Sequence, residues 1–256
     1  MSGAVVEGID HTKVAAWFSV HVPSSTPPFE FELIAGGHSN LTYKVVDQVG
    51  KAFVLRRPPL GHVLATAHDM AREHRIITAV GTTDVPVPPT LGVCEDLEIN
   101  GAPFYVMKYV AGAVLHSDVE AELLPLPDRM MLSQQVAEVL AELHSVEPDN
   151  IGLGDLAKRE DYLGRQLRRW SRQWEQSKTR ELPTMEHVQG LLERKKPPQV
   201  GSTIVHGDYR LGNMLTDSSE ILAVLDWELC TLGDPLADVG YLLNNWVDPD
   251  EAPAGS

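Results

Sequence analysis

Cysteine, long hydrophobic runs and basic charge are all scarce in this chain. Cys94 and Cys230 are the two thiols in 256 residues. Each stands alone, with no CxxC pair and no histidine at ligand spacing, which argues against a disulfide framework and gives a zinc site no support. Nowhere do about 18 apolar residues follow one another, the length that a membrane-spanning helix needs. The N-terminus, MSGAVVEGIDHTK, lacks the basic-then-apolar pattern of an export signal, so a cytoplasmic location is expected and a membrane partner is not. The formal net charge is −15, whereas nucleic-acid binders carry a basic domain or stripe, so nucleic acid is not expected as a partner either.

What charge there is falls unevenly. From Lys158 to Lys196, eleven Lys or Arg stand against six Asp or Glu, a balance of +5 over 39 positions that leaves −20 for the remainder. With 43% hydrophobic residues, the chain has enough apolar material for one substantial core or two smaller ones.

Periodicity divides the chain into unlike halves and points to an α+β fold. Asp10 is placed to cap a short helix carrying Val14, Trp17 and Phe18, which should end near Pro23. Strand-like pieces follow at Phe29 to Ile34, Leu41 to Val46 and Ala52 to Leu55, separated by turn residues. Residues 62 to about 80 fit a helix, and Pro86, Pro88 and Pro89 mark a loop. Two further strands, Thr90 to Val93 and Phe104 to Met107, are expected to flank a turn at Asn100-Gly101. Past about residue 110 the spacing becomes helical, with Met131, Val136, Val139, Leu140 and Leu143 on one face of residues 127–146 and a second, basic helix at 157–177. The expected division is a small-sheet domain at 1–110 and a helical domain at 111–256.

The stretch IVHGDYRLGNMLTDSSEILAVLDWE, residues 204–228, places polar groups beside short apolar runs that read as strand, loop, strand. Phosphoryl transfer needs an acceptor hydroxyl held near a carboxylate and a divalent metal held by hard oxygens. Asp208 supplies the first, while Asn213 and Asp226 supply the second. Asp208 and Asn213 lie five residues apart, as do the Asp and Asn of the protein-kinase pattern H-R-D-L-x-x-x-N, which is likewise followed by a metal-binding Asp.

The chain resembles the aminoglycoside phosphotransferase and choline kinase superfamily, most closely the kinase-like domains related to those fused to acyl-CoA dehydrogenases. The residues carrying the resemblance are GGHSNLTYKV at 36–45, VLRRPP at 54–59, AREHRII at 71–77, LAELHSVEP at 140–148, HGDYRLGNML at 206–215 and LDWELCTLGDPLADVG at 225–240. One such motif would be weak evidence; six in order are strong. The resemblance implies a two-lobed protein-kinase-like fold, with a small antiparallel-sheet lobe and a mainly helical lobe, and ATP and Mg²⁺ as cofactors. Relatives usually continue with further helices, so the helical lobe is expected to be incomplete here, whether as a short form or a fragment.

It also implies roles. Gly36, Gly37, Ser39 and Asn40 form the loop over the phosphates, and Arg56 is the strand cation on the α- and β-phosphates, in place of the commoner Lys. Arg57 is the alternative if Arg56 points away. Glu73 holds that cation, and Met107, Lys108, Tyr109 and Val110 lie against the adenine. Asp208 is the base, Asn213 and Asp226 hold the metal, and Asp238 ties the catalytic loop down. His206 is expected to brace that loop, because Asp208 already occupies the base position. Seven residues, WELCTLG, separate Asp226 from Asp234, which leaves no room for a long activation segment and favours a small-molecule hydroxyl over a protein acceptor. Arg165, Arg168, Arg169 and Arg172, interleaved with Trp170 and Trp174, suit an anionic partner such as coenzyme A, making a hydroxyacyl-CoA one candidate substrate. The competing reading of that segment is a solvated helix face. Two other functions stay open: a nucleotide-binding regulatory module without turnover, for which Arg56 is the argument, and an aminoglycoside kinase. Homo-oligomerisation is also left open.

Overall fold

In the computed structural model, residues 6–35, 40–61 and 69–244 are described, residue 118 by its backbone alone. The chain divides into two compact units, Met1–Val139 with Leu211–Glu228, and Leu140–Arg210 with Leu229–Ser256. The expected boundary at residue 110 and this division do not coincide. Ala113 forms a β-bridge with Thr216, and Gln135 bonds to the backbone of Ser219 and Ile221, so residues 111–139 go with the first unit.

The first unit is built on five antiparallel strands, β1 (Glu30–Ala35), β2 (Leu41–Val46), β3 (Ala52–Arg57), β4 (Thr90–Cys94) and β5 (Phe104–Lys108), in the order β1-β2-β3-β5-β4. Helix α1 (His11–His21) opens the chain. Its cap is Asp10, whose side chain accepts from the Lys13 amide, and Pro23 follows its end. Val14, Trp17 and Phe18 bury themselves with Phe31, Phe53 and Phe104 from the sheet. Helix α2 (Met70–Val80), capped by Asp69, packs on β4 and β5. Residues 62–68 of the expected helix lie outside the described residues.

Two sequence readings need correction. The turn at Asn100-Gly101 is preceded by a short helix, α3 (Leu97–Asn100). Asp96 caps it by accepting from the Glu98 amide, and Gly101 closes it at φ 68°, the left-handed conformation that glycine adopts at little cost. The runs at 204–205 and 221–225 also belong to separate ladders. Strand β6 (Thr203–Val205) pairs with β9 (Thr231–Gly233), while β8 (Glu220–Val224) pairs with β7 (Met214–Asp217) across a tight turn. That turn uses Ser218 at φ 52°, and it leaves room for β7, a strand that the sequence reading took as loop.

Helices α4 (Asp118–Glu122) and α5 (Leu126–Ser145) follow β5. In the second unit the basic segment forms two helices rather than one, α6 (Tyr162–Ser177) and α7 (Pro183–Lys195). Asp161 joins them by pairing with Arg168 of α6 at 3.0 Å and with Lys196, just past α7, at 2.6 Å. The last described element is α8 (Leu236–Asn244). No helix among the described residues is long and apolar enough to cross a membrane.

Phe18 is fully buried among Phe29, Phe31 and Phe53. Phe18→Ala is expected to lower the unfolding free energy by about 3–5 kcal/mol in urea denaturation; a loss below about 1 kcal/mol would show that α1 is not part of this core.

Candidate active site

Strand β3 is buried from Phe53 to Arg57, so two consecutive arginines sit where charge is costly. Successive side chains of a strand point to opposite faces, and the two arginines separate accordingly. Arg57 turns toward the side of α1, where Nη1 donates to the carbonyls of Gly8 and Asn100 and Nε to that of Pro58. Arg56 faces α2 and the β8 turn. Its Nη2 donates to Asp226 Oδ1 at 2.6 Å, and its Nε lies 3.5 Å from Glu73 Oε2. The structure therefore brings Arg56, and not Arg57, to Glu73 and Asp226.

This cluster is largely dry: Arg56 is 9% exposed and Glu73 1%. Burial opposes the charge on Arg56, but Glu73, Tyr105 and Asp226 outweigh it, so the guanidinium holds its proton more tightly than usual. For Glu73, burial is the largest influence and pushes the carboxyl up to about 7, while Arg56 pulls the other way. A lone carboxylate here would neutralise itself; the cation at 3.5 Å is what favours its charged form. Tyr105, directly opposite Arg56 in the β3–β5 register, belongs to the same cluster, and burial followed by the Glu73 charge raises its phenol.

Arg56 and Asp226 line a cavity of about 350 Å³ together with Asn213, Met107, Lys108, Tyr109 and Val110. Its remaining walls include Ile34, Val54, Ile77 and Leu215, so apolar surface and a few polar groups line one slot, as a nucleotide base and its phosphates require. The Leu225 amide donates to the Asn213 carbonyl at 2.8 Å, which brings the residues bearing the amide and carboxylate oxygens next to each other. Asp226 takes φ 66°, an uncommon backbone conformation for a residue with a side chain. Among the described residues no group of three or more His, Cys, Asp or Glu could hold a metal ion. One amide oxygen and one carboxylate instead suit Mg²⁺, which takes few protein ligands and completes its shell with phosphate oxygens and water.

Gly36, Gly37 and Ser39 lie outside the described residues. Asn40 is described, and its buried amide donates to Glu228 Oε2 at 3.2 Å.

In the second unit, the loop bearing Asp208 hangs on Asp238. That carboxylate is fully buried and accepts from the amides of His206 and Gly207, both at 2.8 Å, with His144 Nε2 at 3.1 Å. His206 accepts the Asp208 amide on Nδ1 at 3.2 Å, so its ring carries its proton on Nε2 if neutral. Gly207 sits at φ 88°, and a Cβ there would come within 2.9 Å of the Leu229 carbonyl, so the turn that delivers Asp208 demands glycine. Asp208 pairs with Arg210 at 3.3 Å and lines a second cavity, of about 500 Å³, with Tyr162, Gln166, Arg169, Trp170 and Tyr241.

Of the four arginines expected to meet an anionic partner, Arg169 reaches this cavity; its guanidinium lies 5.6 Å from the Trp170 ring. Arg165 donates to the carbonyls of Glu160 and Leu232, Arg168 to Asp161, and Arg172 to the Arg168 carbonyl. These three do not line that cavity. Sequence reasoning passed over Tyr105, Arg210 and Glu228. Arg210 and Glu228 stand inside the quoted motifs, two residues after Asp208 and Asp226; Tyr105 could be found only from strand register.

Replacing Asp238 by Ala would orphan two buried amides. The expected cost is about 3 kcal/mol or more, read as a lowered unfolding midpoint with rapid hydrogen exchange at His206 and Gly207; unchanged protection there would remove Asp238 from the supporting role.

Comparison with known proteins accords with this geometry. The model of the phosphotransferase enzyme family matches residues 30–255. The chain is 38% identical over 231 residues to acyl-CoA dehydrogenase family member 10 of Mus musculus, an alignment that takes in 90% of this chain but 21% of that protein's length. Among solved structures, a Ralstonia eutropha protein described as an aminoglycoside phosphotransferase superposes with a TM-score of 0.80 at 35% identity, over 96% of this chain and 74% of that one. The streptomycin–ATP–APH(2")-IIa ternary complex, at 19% identity, has a TM-score of 0.61 over 87% and 73% of the two chains; this likeness is one of fold. A family match over most of the chain, together with a kinase-like relative at 35% identity, makes this chain a member of the phosphotransferase enzyme family.

Proposed function

We propose that the chain transfers the γ-phosphoryl group of ATP to a hydroxyl on a small molecule, with a hydroxyacyl-CoA as the favoured acceptor. The observation that carries this reading is the convergence of Arg56, Asn213 and Asp226 on one cavity with the 107–110 segment. In it the adenine lies against Met107 to Val110, and Arg56 binds the phosphates through its planar fork. Asn213 and Asp226 hold Mg²⁺, which when bound neutralises charge on the phosphate oxygens. Asp208 orients the acceptor hydroxyl and takes its proton.

The acceptor preference rests on the second cavity. Its only carboxylates among the described lining residues are Asp208, paired with Arg210, and Asp238, whose oxygens are engaged by the loop amides and His144. Arg169 adds positive charge, and Trp170 and Tyr162 add flat apolar surface. An anionic or neutral acceptor suits that lining better than a polycationic aminoglycoside.

Two variants test the reading. Asp208→Asn is expected to lower turnover by about 10²–10⁴-fold while ADP affinity stays within a factor of two or so. It should be assayed as Mg-ATP-dependent ADP formation with hydroxyacyl-CoAs, aminoglycosides and amino alcohols as acceptors. Undiminished turnover would remove Asp208 from the base role, and no turnover with any acceptor would favour a regulatory nucleotide-binding module. Asp226→Ala should instead weaken Mg-nucleotide binding by about tenfold or more, measured by calorimetry; equal affinity would refute the metal assignment.

A further inference from the structure

One side-chain pair joins two parts of the nucleotide site. Asn40 leads into β2, where Thr42 lies opposite Arg56 in the β2–β3 register and lines the same cavity. Glu228 lies two residues past Asp226, in the turn that carries the metal carboxylate. The Asn40 amide donates to Glu228 Oε2 at 3.2 Å across 188 residues of sequence, and Asn40 is 3% exposed. A buried primary amide has to be hydrogen-bonded, and a bond to a carboxylate is among the stronger kinds. Glu228 is held from a second direction as well, because Arg72 Nη1 donates to its carbonyl at 3.4 Å. Arg72 neighbours Glu73 on α2, and Glu73 faces Arg56. The turn bearing Asp226 is therefore fixed both from the helix that positions the strand cation and from the start of the strand that pairs with that cation.

We propose that the Asn40–Glu228 bond couples the phosphate side of the site to the metal side. Glu228 is then a positioning residue: through Asn40 it makes nucleotide binding and metal binding at Asp226 depend on each other. The inference rests on the ATP and Mg²⁺ reading above, and it assigns Glu228 no direct contact with either. Loss of the pair leaves both half-sites in place but lets each fill without the other.

The test is a binding cycle, independent of turnover. ADP affinity is measured by calorimetry in Mg²⁺ and again in EDTA, for the native chain, Asn40→Ala, Glu228→Gln and the double variant, with thermal melts to confirm folding. The native chain should bind ADP more tightly in Mg²⁺. Each single variant should cut that enhancement by about tenfold, within the usual range of coupling between sites, and the double variant should lose no more than either single. A second double variant, Asn40→Asp with Glu228→Gln, exchanges amide and carboxylate and should recover most of the enhancement, which a loss of packing would not. Single variants that keep the full enhancement, losses that multiply in the double variant, or a swap that restores nothing would each overturn the coupling while leaving the ATP site standing. Absence of any Mg²⁺ enhancement in the native chain would instead overturn the metal assignment, and the coupling with it.

Discussion

A guanidinium charge inside an apolar sheet is tolerable only if anions meet it, and that requirement organises the first unit. Arg56 needs Glu73 from α2 and Asp226 from the turn after β8. Three segments distant in sequence are thereby held to one point. Removing either anion would leave a buried charge with half its partners, a loss of about 3–5 kcal/mol in comparable settings. Arginine suits the position in a way lysine would not. Its fork addresses one carboxylate through Nη2 and another through Nε, whereas an ammonium is a compact point charge. The cavity that Arg56 and Asp226 line is a by-product of that arrangement, since its walls include Val54 of β3, Met107 of β5 and Val224 of β8.

The second unit solves an analogous problem with the opposite charge. Asp238 is an anion with no exposure at all, met by two backbone amides and by His144 Nε2 rather than by an arginine. Amide donors fix geometry without adding a competing cation, so the loop they belong to is held in one shape while Asp208 remains the carboxylate presented to the cavity. Carboxylates with different surroundings are thus placed differently: Asp238 holds the loop, Asp208 lines the cavity beside α6, and Asp226 lines the cavity beside Arg56.

Much of this was legible beforehand, and the reasons differ by element. The α1 helix, the meander of β1, β2 and β3 and the family motifs announce themselves through caps, alternation and glycine. The identity of Asp208, Asn213 and Asp226 as candidate chemistry followed from residue type and spacing. What escaped was whatever depends on pairing between distant segments. Ser218-Ser219 reads equally as loop or hairpin turn until β7 is seen against β8. The basic segment reads as one helix because nothing in its charge reveals that Asp161 staples two. That Arg169 lines the cavity while Arg165, Arg168 and Arg172 bond to carbonyls and to Asp161 is a matter of placement that composition cannot show. Whether Arg56 or Arg57 meets Glu73 is a matter of strand parity, which a sequence leaves undecided.

That parity is set a few residues away. The turn from β2 to β3 is pinned by Asp47, whose carboxylate accepts from the amides of Val49, Lys51 and Thr26, and Gly50 supplies a φ of 82° there. Without that anchoring, β3 could slip by one step relative to β2. Every side chain of the strand would change face, presenting Arg57 to the acidic cluster and sending Arg56 toward α1. A carboxylate bonded to three amides at the surface thus helps to decide which of two arginines the interior receives.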